Sequence, residues 1–488
     1  MEEFTPKPVE TGSPADKTAR EDAPDNFWVG VLKQVVPLVA VLVIVKLFIA
    51  DIFVIPTGSM EPTLHGRDYS GDRIFATEFD FRFRNPKRWE VFVFKYPGTG
   101  AHAGENYIKR CIGLPGEDLA IVNGDIFTRT DPAQPAVRQV KPDSLQRKIW
   151  LPVYRDDLRG RKLDEFGVFW GFDRAPGVKL ENGVLAVDSP DGSFFRFQPQ
   201  NRFSSGSSAK AGRILSVLDR YIRRQSVTYR CPQCGKPSRQ TVSTPQFFDR
   251  CGRCGAFLTE KDVTFYDFFA GYPEEQKPPS TMVGDRSKTR SGWHHVRDLR
   301  WLGKTRFLRA GTVLAVELRE DRHLARAEFT VDAAGQGAAR LFLDGNLLTQ
   351  APGAFTLPLG RWAEMEFYRC DGEYRAFVDG RPVFCLAPEG HTAPADMWQR
   401  CRFAGAGFGV SGAAEFAAVR LDRDIHYFRR DSNPVYFRLA AEPGEFMAMG
   451  DNCPASNDSR DWGMVPRKNL VGPAWLVWWP LDAVRVIY

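Results

Sequence analysis

Ile55-Pro-Thr-Gly-Ser-Met-Glu-Pro-Thr-Leu64 is the stretch around which this 488-residue sequence is organised. Its serine, Ser59, follows a glycine and lies between two prolines, a composition that predicts a rigid, exposed turn presenting a hydroxyl group. Just before this turn, residues 28–49 are almost entirely apolar. A helix of about 22 residues is long enough to cross a hydrocarbon core of about 30 Å. The sequence therefore predicts a membrane helix followed directly by a serine-bearing turn.

Composition limits the class of protein. Hydrophobic residues make up 43% of the chain and the mean hydropathy is negative, so a folded protein with one membrane span is expected rather than a polytopic one. The net charge of +6 is a small difference between 66 basic and 60 acidic side chains, and nucleic-acid binding is not indicated. A cleaved secretory leader is the alternative to a span. It lacks support because no basic segment starts the chain and no small-residue cleavage site follows the apolar run.

Alternating hydrophobic residues predict a mainly β fold. The segments Asp72–Thr77, Glu90–Lys95 and Ala120–Phe127 have the pattern of strands, and Asn123-Gly124 is typical of a hairpin turn. Residues 311–425 contain short alternating strands with Asp-Gly turns, which predicts a β-sandwich. This segment resembles the concanavalin-like jelly rolls.

The sequence predicts six successive parts. They are a disordered cytoplasmic tail (1–26), a transmembrane helix (27–50), the first part of a catalytic core (51–128), an insertion with a zinc ribbon near 229–257 (129–310), a β-sandwich-like insertion (311–425) and the second part of the core (426–488).

Two further segments complete a candidate catalytic site. Asn106-Tyr-Ile-Lys-Arg-Cys-Ile-Gly-Leu-Pro-Gly116 places Lys109 among apolar neighbours. Desolvation there lowers the pKa of an amine and makes its neutral form available to deprotonate a serine. Far downstream lies a polar cluster of the kind that orients a base, Gly450-Asp-Asn-Cys-Pro-Ala-Ser-Asn-Asp-Ser-Arg-Asp-Trp-Gly463. Taken singly, each piece is better explained without catalysis, as a turn serine, a solvated strand lysine or an Asx-rich loop.

Together and in this order, the three segments resemble bacterial type I signal peptidase, the Ser/Lys leader peptidase family, over about residues 28–128 and 428–488. The resemblance implies a membrane-bound serine endopeptidase that removes signal peptides from exported preproteins, with Ser59 as nucleophile and Lys109 as general base. Because leader peptides are cut after translocation, it also implies a single-pass protein of the bacterial cytoplasmic (inner) membrane with its catalytic domain on the outer side. The implied partners are signal peptides and the lipid bilayer, and catalysis needs no cofactor.

The resemblance assigns further residues. It implies an oxyanion hole made by the Ser59 backbone N–H and the Thr57 hydroxyl, with Ser456 orienting Lys109. Asp458 and Arg460 would form a supporting ion pair. The pocket for substrates of Ala-X-Ala type maps to Ile55, Pro56, Met60, Leu64, Tyr107 and Ile108. The chain departs from the family at Cys453-Pro454, where a basic residue usually follows Gly-Asp-Asn.

Four cysteines form a separate signal. Cys231 and Cys234 make one Cys-x-x-Cys pair, and Cys251 and Cys254 make a second pair sixteen residues later. Each pair is followed by a glycine, and this spacing predicts a zinc ribbon with a closed structural zinc site. If the region is exported, disulfides are the alternative.

The sequence leaves two other functions open. A soluble Ser/Lys autoprotease would share the catalytic pair, but it would not need the apolar anchor. A membrane-tethered binding protein with a relict peptidase core would not need to keep Ser59, Lys109, Ser456, Asp458 and Arg460 together.

Overall fold

The structure is a computed structural model of the chain. Residues 1–50 and 51–488 form two compact units. The residues described lie in the ranges 31–39, 51–66, 71–77, 79–156, 170–172, 177–197, 225–230, 237–242, 263–264, 282–283, 294–321, 323–351, 355–399, 401, 404–430 and 432–487.

Helices are few and short in the described part. They are α1 (31–39), α2 (Asp80–Phe83), α3 (Asp143–Ile149) and α4 (Ser459–Trp462). Of the membrane helix predicted at 27–50, only α1 is described, and no helix among the described residues is both long and apolar enough to cross a membrane. The predicted tail, residues 1–26, lies outside the described residues. The prediction of a mainly β fold is confirmed.

Eight antiparallel strands from the two ends of the second unit form one sheet. They are β1 (Asp51–Val54), β2 (Arg73–Ala76), β3 (Val91–Lys95), β4 (Asn106–Gly113), β28 (Glu445–Met449), β29 (Val465–Pro466), β30 (Leu470–Trp479) and β31 (Arg485–Val486). The order is β1-β2-β30-β3-β4-β28-β29, with β31 beside β30. Because β30 lies between β2 and β3, the two segments predicted to form the catalytic core build one sheet.

Both faces of this sheet are covered, which explains the unbroken apolar run in β3. Val91 and Val93 pack into one apolar cluster, while Phe92 and Phe94 pack into another on the opposite face. Strand residues alternate between faces, so a strand buried on both sides is hydrophobic at every position.

A four-stranded sheet lies next along the chain. It contains β5 (Asp118–Val122), β6 (Asp125–Arg129), β7 (Val137–Arg138) and β27 (Phe437–Arg438), in the order β27-β5-β6-β7. The predicted turn joins β5 to β6, with φ of 53° at Asn123 and 96° at Gly124. Positive φ at both central positions is what a tight hairpin requires, and Asn-Gly supplies it.

The insertion forms a sheet of fourteen antiparallel strands around one apolar core. Nine strands form its main path in the order β21-β20-β19-β18-β26-β17-β23-β24-β25. The fourteen are β8 (Leu151–Asp156), β9 (Trp170–Phe172), β10 (Val178–Glu181), β11 (Val184–Phe197), β17 (Leu299–Phe307), β18 (Val313–Glu320), β19 (His323–Val331), β20 (Gln336–Leu343), β21 (Asn346–Gln350), β22 (Phe355–Thr356), β23 (Trp362–Cys370), β24 (Glu373–Val378), β25 (Arg381–Leu386) and β26 (Ala404–Arg423).

The fourteen-stranded sheet is not confined to residues 311–425. Strands β8–β11 and β17 precede residue 311 and pair within it. The expected strands with Asp-Gly turns are present, with β20 turning into β21 at Asp344-Gly345 and β24 into β25 at Asp379-Gly380. The likeness to a jelly roll stays a prediction.

Five short strands complete the described part. They are β12 (Gln225–Arg230), β13 (Pro237–Val242), β14 (Val263–Thr264), β15 (Met282–Val283) and β16 (His294–His295). β12 pairs with β13, with Arg230 opposite Pro237. The first Cys-x-x-Cys pair lies between these two strands in the sequence. Cys231, Cys234, Cys251 and Cys254 all lie outside the described residues, so zinc stays a prediction.

Candidate active site

Ser59 lies in a single 3-10 turn, Gly58–Met60, that follows β1. Buried side chains in and around the turn anchor it: Ile55, Met60 and Leu64 are at most 2% exposed and pack in one apolar cluster. Ser59 itself is half-buried, at the surface of this cluster. The sequence predicts a rigid, exposed turn here, and the structure places its serine half-buried.

Lys109 on β4 reaches Ser59 across the sheet, although three strands separate β4 from β1 in the strand order. Its Nζ lies 2.6 Å from Ser59 Oγ, although the two residues are fifty positions apart. Lys109 is 4% exposed and stands opposite Phe92 in the ladder between β3 and β4. The structure thus brings the predicted nucleophile and the predicted base into hydrogen-bonding distance.

Burial changes the acidity of the lysine. Loss of hydration lowers the pKa of Lys109 from 10.5 to about 8. The carboxylates of Asp458 and Asp451 act in the opposite direction, and the guanidinium of Arg460 adds to the lowering. A neutral amine in contact with a serine hydroxyl can accept its proton, which is the requirement for a general base.

Thr57 and Ser456, the two residues expected to supply supporting hydroxyl groups, differ in their contacts. The hydroxyl of Thr57 lies 3.4 Å from Ser59 Oγ. Ser456 is buried beside Gly450, yet among the described residues its Oγ has no hydrogen-bond partner, so the expected bond to Lys109 is not formed. The role of Ser456 in orienting Lys109 stays a prediction.

The predicted ion pair between Asp458 and Arg460 is present. Arg460 Nε lies 2.8 Å from Asp458 Oδ1, and neither side chain is exposed. Arg460 also donates to the carbonyl of Cys453 at 2.7 Å and approaches its Sγ at 3.0 Å. Cys453, the departure from the family pattern, is therefore packed against this guanidinium.

A second cluster at the site was not predicted. The side chain of Asn452 donates to the carbonyl of Gly58 at 3.0 Å, and its backbone N–H donates to the carbonyl of Ser59 at 3.1 Å. Asp451 Oδ2 lies 2.6 Å from Arg110 Nη2, with both side chains fully buried. The clue in the sequence is a second charged residue, Arg110, directly after Lys109 in a strand that is mostly apolar.

Close packing at Gly450 explains why these loops can meet. A Cβ atom at this position would lie 2.3 Å from Ser456 Oγ and 2.4 Å from the carbonyl oxygen of Ser59. Only glycine lets the backbone approach the nucleophile turn this closely.

The predicted substrate pocket is divided between the two faces of β4. Ile108 packs with Ile55, Met60 and Leu64, whereas Tyr107 packs with the cluster on the opposite face and stacks on Tyr96 at 4.8 Å. Pro56 is exposed. The structure therefore brings four of the six residues together and places the other two outside that cluster.

One group of side chains in the described part has the composition of a metal site. The ligand atoms of Asp298, Cys370, Asp371 and Asp424 lie within 4.8 Å of one another. Lys141 Nζ is already 2.5 Å from Asp371 and 2.8 Å from Asp424. An ammonium group thus supplies the cation that these two carboxylates need.

Two segments of the chain, one on each side of the insertion, are similar to known proteins. The family described as signal peptidase, peptidase S26, matches residues 28–160 and 418–479. The probable signal peptidase I-2 of Synechocystis sp. is 31% identical over 171 residues, which cover 33% of this chain and 73% of that protein. Signal peptidase I of Leptolyngbya laminosa is 26% identical over 180 residues, which cover 35% of this chain and 86% of that protein.

Among solved structures, the match to the laminarinase from Rhodothermus marinus covers 57% of this chain and 98% of the laminarinase chain. The sequence identity is 11% and the TM-score is 0.29. A likeness at this level does not identify a shared fold.

Proposed function

The chain belongs to the signal peptidase family, peptidase S26, and we propose that its Ser59–Lys109 pair cleaves signal peptides from exported preproteins. The observation that carries the proposal is the contact of 2.6 Å between Lys109 Nζ and Ser59 Oγ, made by a lysine that is only 4% exposed. The contact supports a working peptidase over a binding protein with a relict core, because burying an amine beside a hydroxyl costs stability without serving recognition.

The proposed reaction starts from the neutral amine of Lys109. It accepts the proton of Ser59 as Oγ attacks the carbonyl carbon of the scissile bond, and the carbonyl oxygen becomes an oxyanion. The Ser59 backbone N–H and the Thr57 hydroxyl stabilise this oxyanion. The Lys109 ammonium then donates the proton to the leaving amine as the C–N bond breaks. Water, deprotonated by the same lysine, hydrolyses the acyl ester and restores Ser59.

The apolar cluster beside the turn supports a preference for small residues before the cut. Ile55, Met60 and Leu64 are buried and Ile108 is partly buried, so little free volume is left next to Ser59. A larger substrate side chain must displace packed atoms, at a cost of about 1–3 kcal/mol, which corresponds to roughly 5- to 150-fold in rate. Substrates of Ala-X-Ala type meet this restriction.

The location follows from the substrate. Signal peptides are removed from chains that have been exported, so we propose a single-pass protein of the bacterial cytoplasmic membrane with the catalytic unit outside. The apolar residues 28–49 would be its anchor.

The test is cleavage of a preprotein by the detergent-solubilised full chain. Ser59→Ala and Lys109→Ala should each reduce cleavage by at least a thousandfold, whereas Lys95→Ala, a change of an exposed lysine on the adjacent strand, should not. The rate should rise with pH around the Lys109 pKa of about 8.

Specificity is tested by peptides that differ only in the residue before the cut. Alanine, glycine and serine should give the highest kcat/KM. Processing that survives Ser59→Ala would overturn the catalytic assignment, and equal cleavage of alanine and phenylalanine peptides would overturn the placement of the pocket.

A further inference from the structure

We infer that Tyr427 is a positioning residue for the Ser59–Lys109 pair, through which the inserted fourteen-stranded sheet holds the catalytic loops. Tyr427 lies in the segment Asp424–Phe428, called here the return segment, which follows β26 as the chain leaves that sheet. The inference rests on the proposed function, because its effect is measured on peptide cleavage.

The contact that carries the inference is made to Asp451. The Tyr427 hydroxyl donates to Asp451 Oδ1 at 3.0 Å, and Arg110 Nε donates to the same oxygen at 2.8 Å. Asp451 Oδ2 accepts from Arg110 Nη2 at 2.6 Å and from the Thr63 hydroxyl. Tyr427 is 1% exposed, so water does not compete for this bond. Four donors therefore fix one buried carboxylate.

Asp451 connects the strand that carries Lys109 to the loop that carries Ser59. Arg110 follows Lys109 on β4, and Thr63 belongs to the same loop as Ser59. The residue after Asp451, Asn452, donates to the carbonyls of Gly58 and Ser59. A displacement of Asp451 would thus move the nucleophile turn relative to the base, and a misplacement of about 1 Å costs on the order of a hundredfold in rate.

The return segment is held on both sides of Tyr427. Upstream, Asp424 accepts from Lys141 Nζ at 2.8 Å and from Gln146 Nε2 at 3.0 Å. Downstream, the carbonyl of Phe428 accepts from Arg460 Nη1 at 3.0 Å. The tyrosine hydroxyl consequently approaches Asp451 from a backbone that is fixed at both ends.

The same contact has an electrostatic consequence at the base. Three charged groups act on Lys109 from the loops around it: Asp458 and Asp451 favour its ammonium form, and Arg460 disfavours it. The Tyr427 hydroxyl points its positive hydrogen at Asp451 and so offsets part of that negative charge. Without the hydroxyl, the ammonium form of Lys109 is favoured more strongly and the pKa of Lys109 rises.

The experiment compares Tyr427→Phe with Tyr368→Phe in the full chain. Tyr368 is a matched control because it is also a buried tyrosine, but it lies on β23 and packs against Trp150. With a signal-peptide substrate, Tyr427→Phe should lower kcat about tenfold with KM nearly unchanged, and the midpoint of the pH–rate profile should move to higher pH. Tyr368→Phe should change neither quantity.

A second variant tests the same contact if Tyr427→Phe does not fold. Asp451→Asn removes a charge that favours the ammonium form, so its pH midpoint should move to lower pH while kcat falls. Wild-type kcat and midpoint in Tyr427→Phe, or an upward shift in Asp451→Asn, would overturn the inference. Activity that survives Ser59→Ala would instead overturn the proposed function, so the two failures are distinguishable.

Discussion

Replacing Lys109 by methionine should stabilise the fold at neutral pH while it abolishes cleavage. Methionine keeps an aliphatic stem of similar length and removes the amine that the fold buries. Burial lowers the pKa of Lys109 from 10.5 to about 8. One pKa unit corresponds to about 1.4 kcal/mol, so keeping this charge buried costs roughly 3 kcal/mol. Loss of the contact with Ser59 offsets about 1 kcal/mol of the gain.

The gain in folding stability expected for Lys109→Met depends on pH. Below pH 8 the amine is protonated in both the folded and the unfolded chain, and the full cost of burying its charge is present. As the pH rises from about 8 to 10.5, the folded chain loses the proton first and the cost declines. Above that range both states are neutral. The advantage of the methionine variant should therefore be largest at pH 7 and nearly absent at pH 10.5.

Thermal unfolding of the full chain in detergent measures this difference. A net gain of about 2 kcal/mol corresponds to an increase in Tm of about 4 to 8 °C for a cooperative unit of roughly 150–250 residues. Lys95→Met, a change of an exposed lysine on β3, is the control and should leave Tm unchanged. A Lys109→Met variant that melts below the wild type at pH 7, or whose gain is the same at pH 7 and pH 10, would refute the assignment of Lys109 as a buried, desolvated base.

Three further predictions concern groups around the dyad and in the insertion. Thr57→Val, which keeps the side-chain shape but removes the hydroxyl, should lower kcat about a hundredfold with little change in KM, and a wild-type kcat would exclude Thr57 from the oxyanion hole. Arg460→Met leaves the buried carboxylate of Asp458 without its partner and should cost about 3–5 kcal/mol, seen as a lower urea midpoint. Metal analysis should find one zinc per chain, lost in Cys231→Ser, whereas disulfide-linked cysteine peptides without zinc would contradict the ribbon.

Features of the fold that depend on residues adjacent in the sequence could be predicted. The hairpin at Asn123-Gly124 forms because these two residues tolerate positive φ better than most, and Asp344-Gly345 and Asp379-Gly380 follow the same rule. Lys109 was recognisable as a buried amine because most residues near it in the sequence are apolar. Each of these predictions needs only a few adjacent positions.

Features that depend on distant residues were missed for a physical reason. Arg110 and Asp451 are 341 positions apart, and each alone has the appearance of a solvated charge. Their pairing depends on β28 lying beside β4, which no local pattern encodes. The extent of the fourteen-stranded sheet was missed likewise, because β8–β11 and β17 are separated from their partners by long segments without clear periodicity.

The way the insertion joins the core explains how a long segment can interrupt a catalytic fold. Asp125 on β6 lies 2.8 Å from Arg138 Nε and 2.8 Å from Arg297 Nη2, so one core carboxylate holds residues at two distant points of the chain. Near the other end, Gly124 forms a β-bridge with Tyr427. The entropy of closing a loop grows only slowly with its length, so the fixed ends matter more than the number of inserted residues.

Buried ion pairs add little net stability over apolar contacts, because desolvation consumes most of the attraction. The effect of such contacts here is geometric: the Lys141–Asp424 ion pair and the Gly124–Tyr427 bridge hold the return segment where the Tyr427 hydroxyl reaches Asp451.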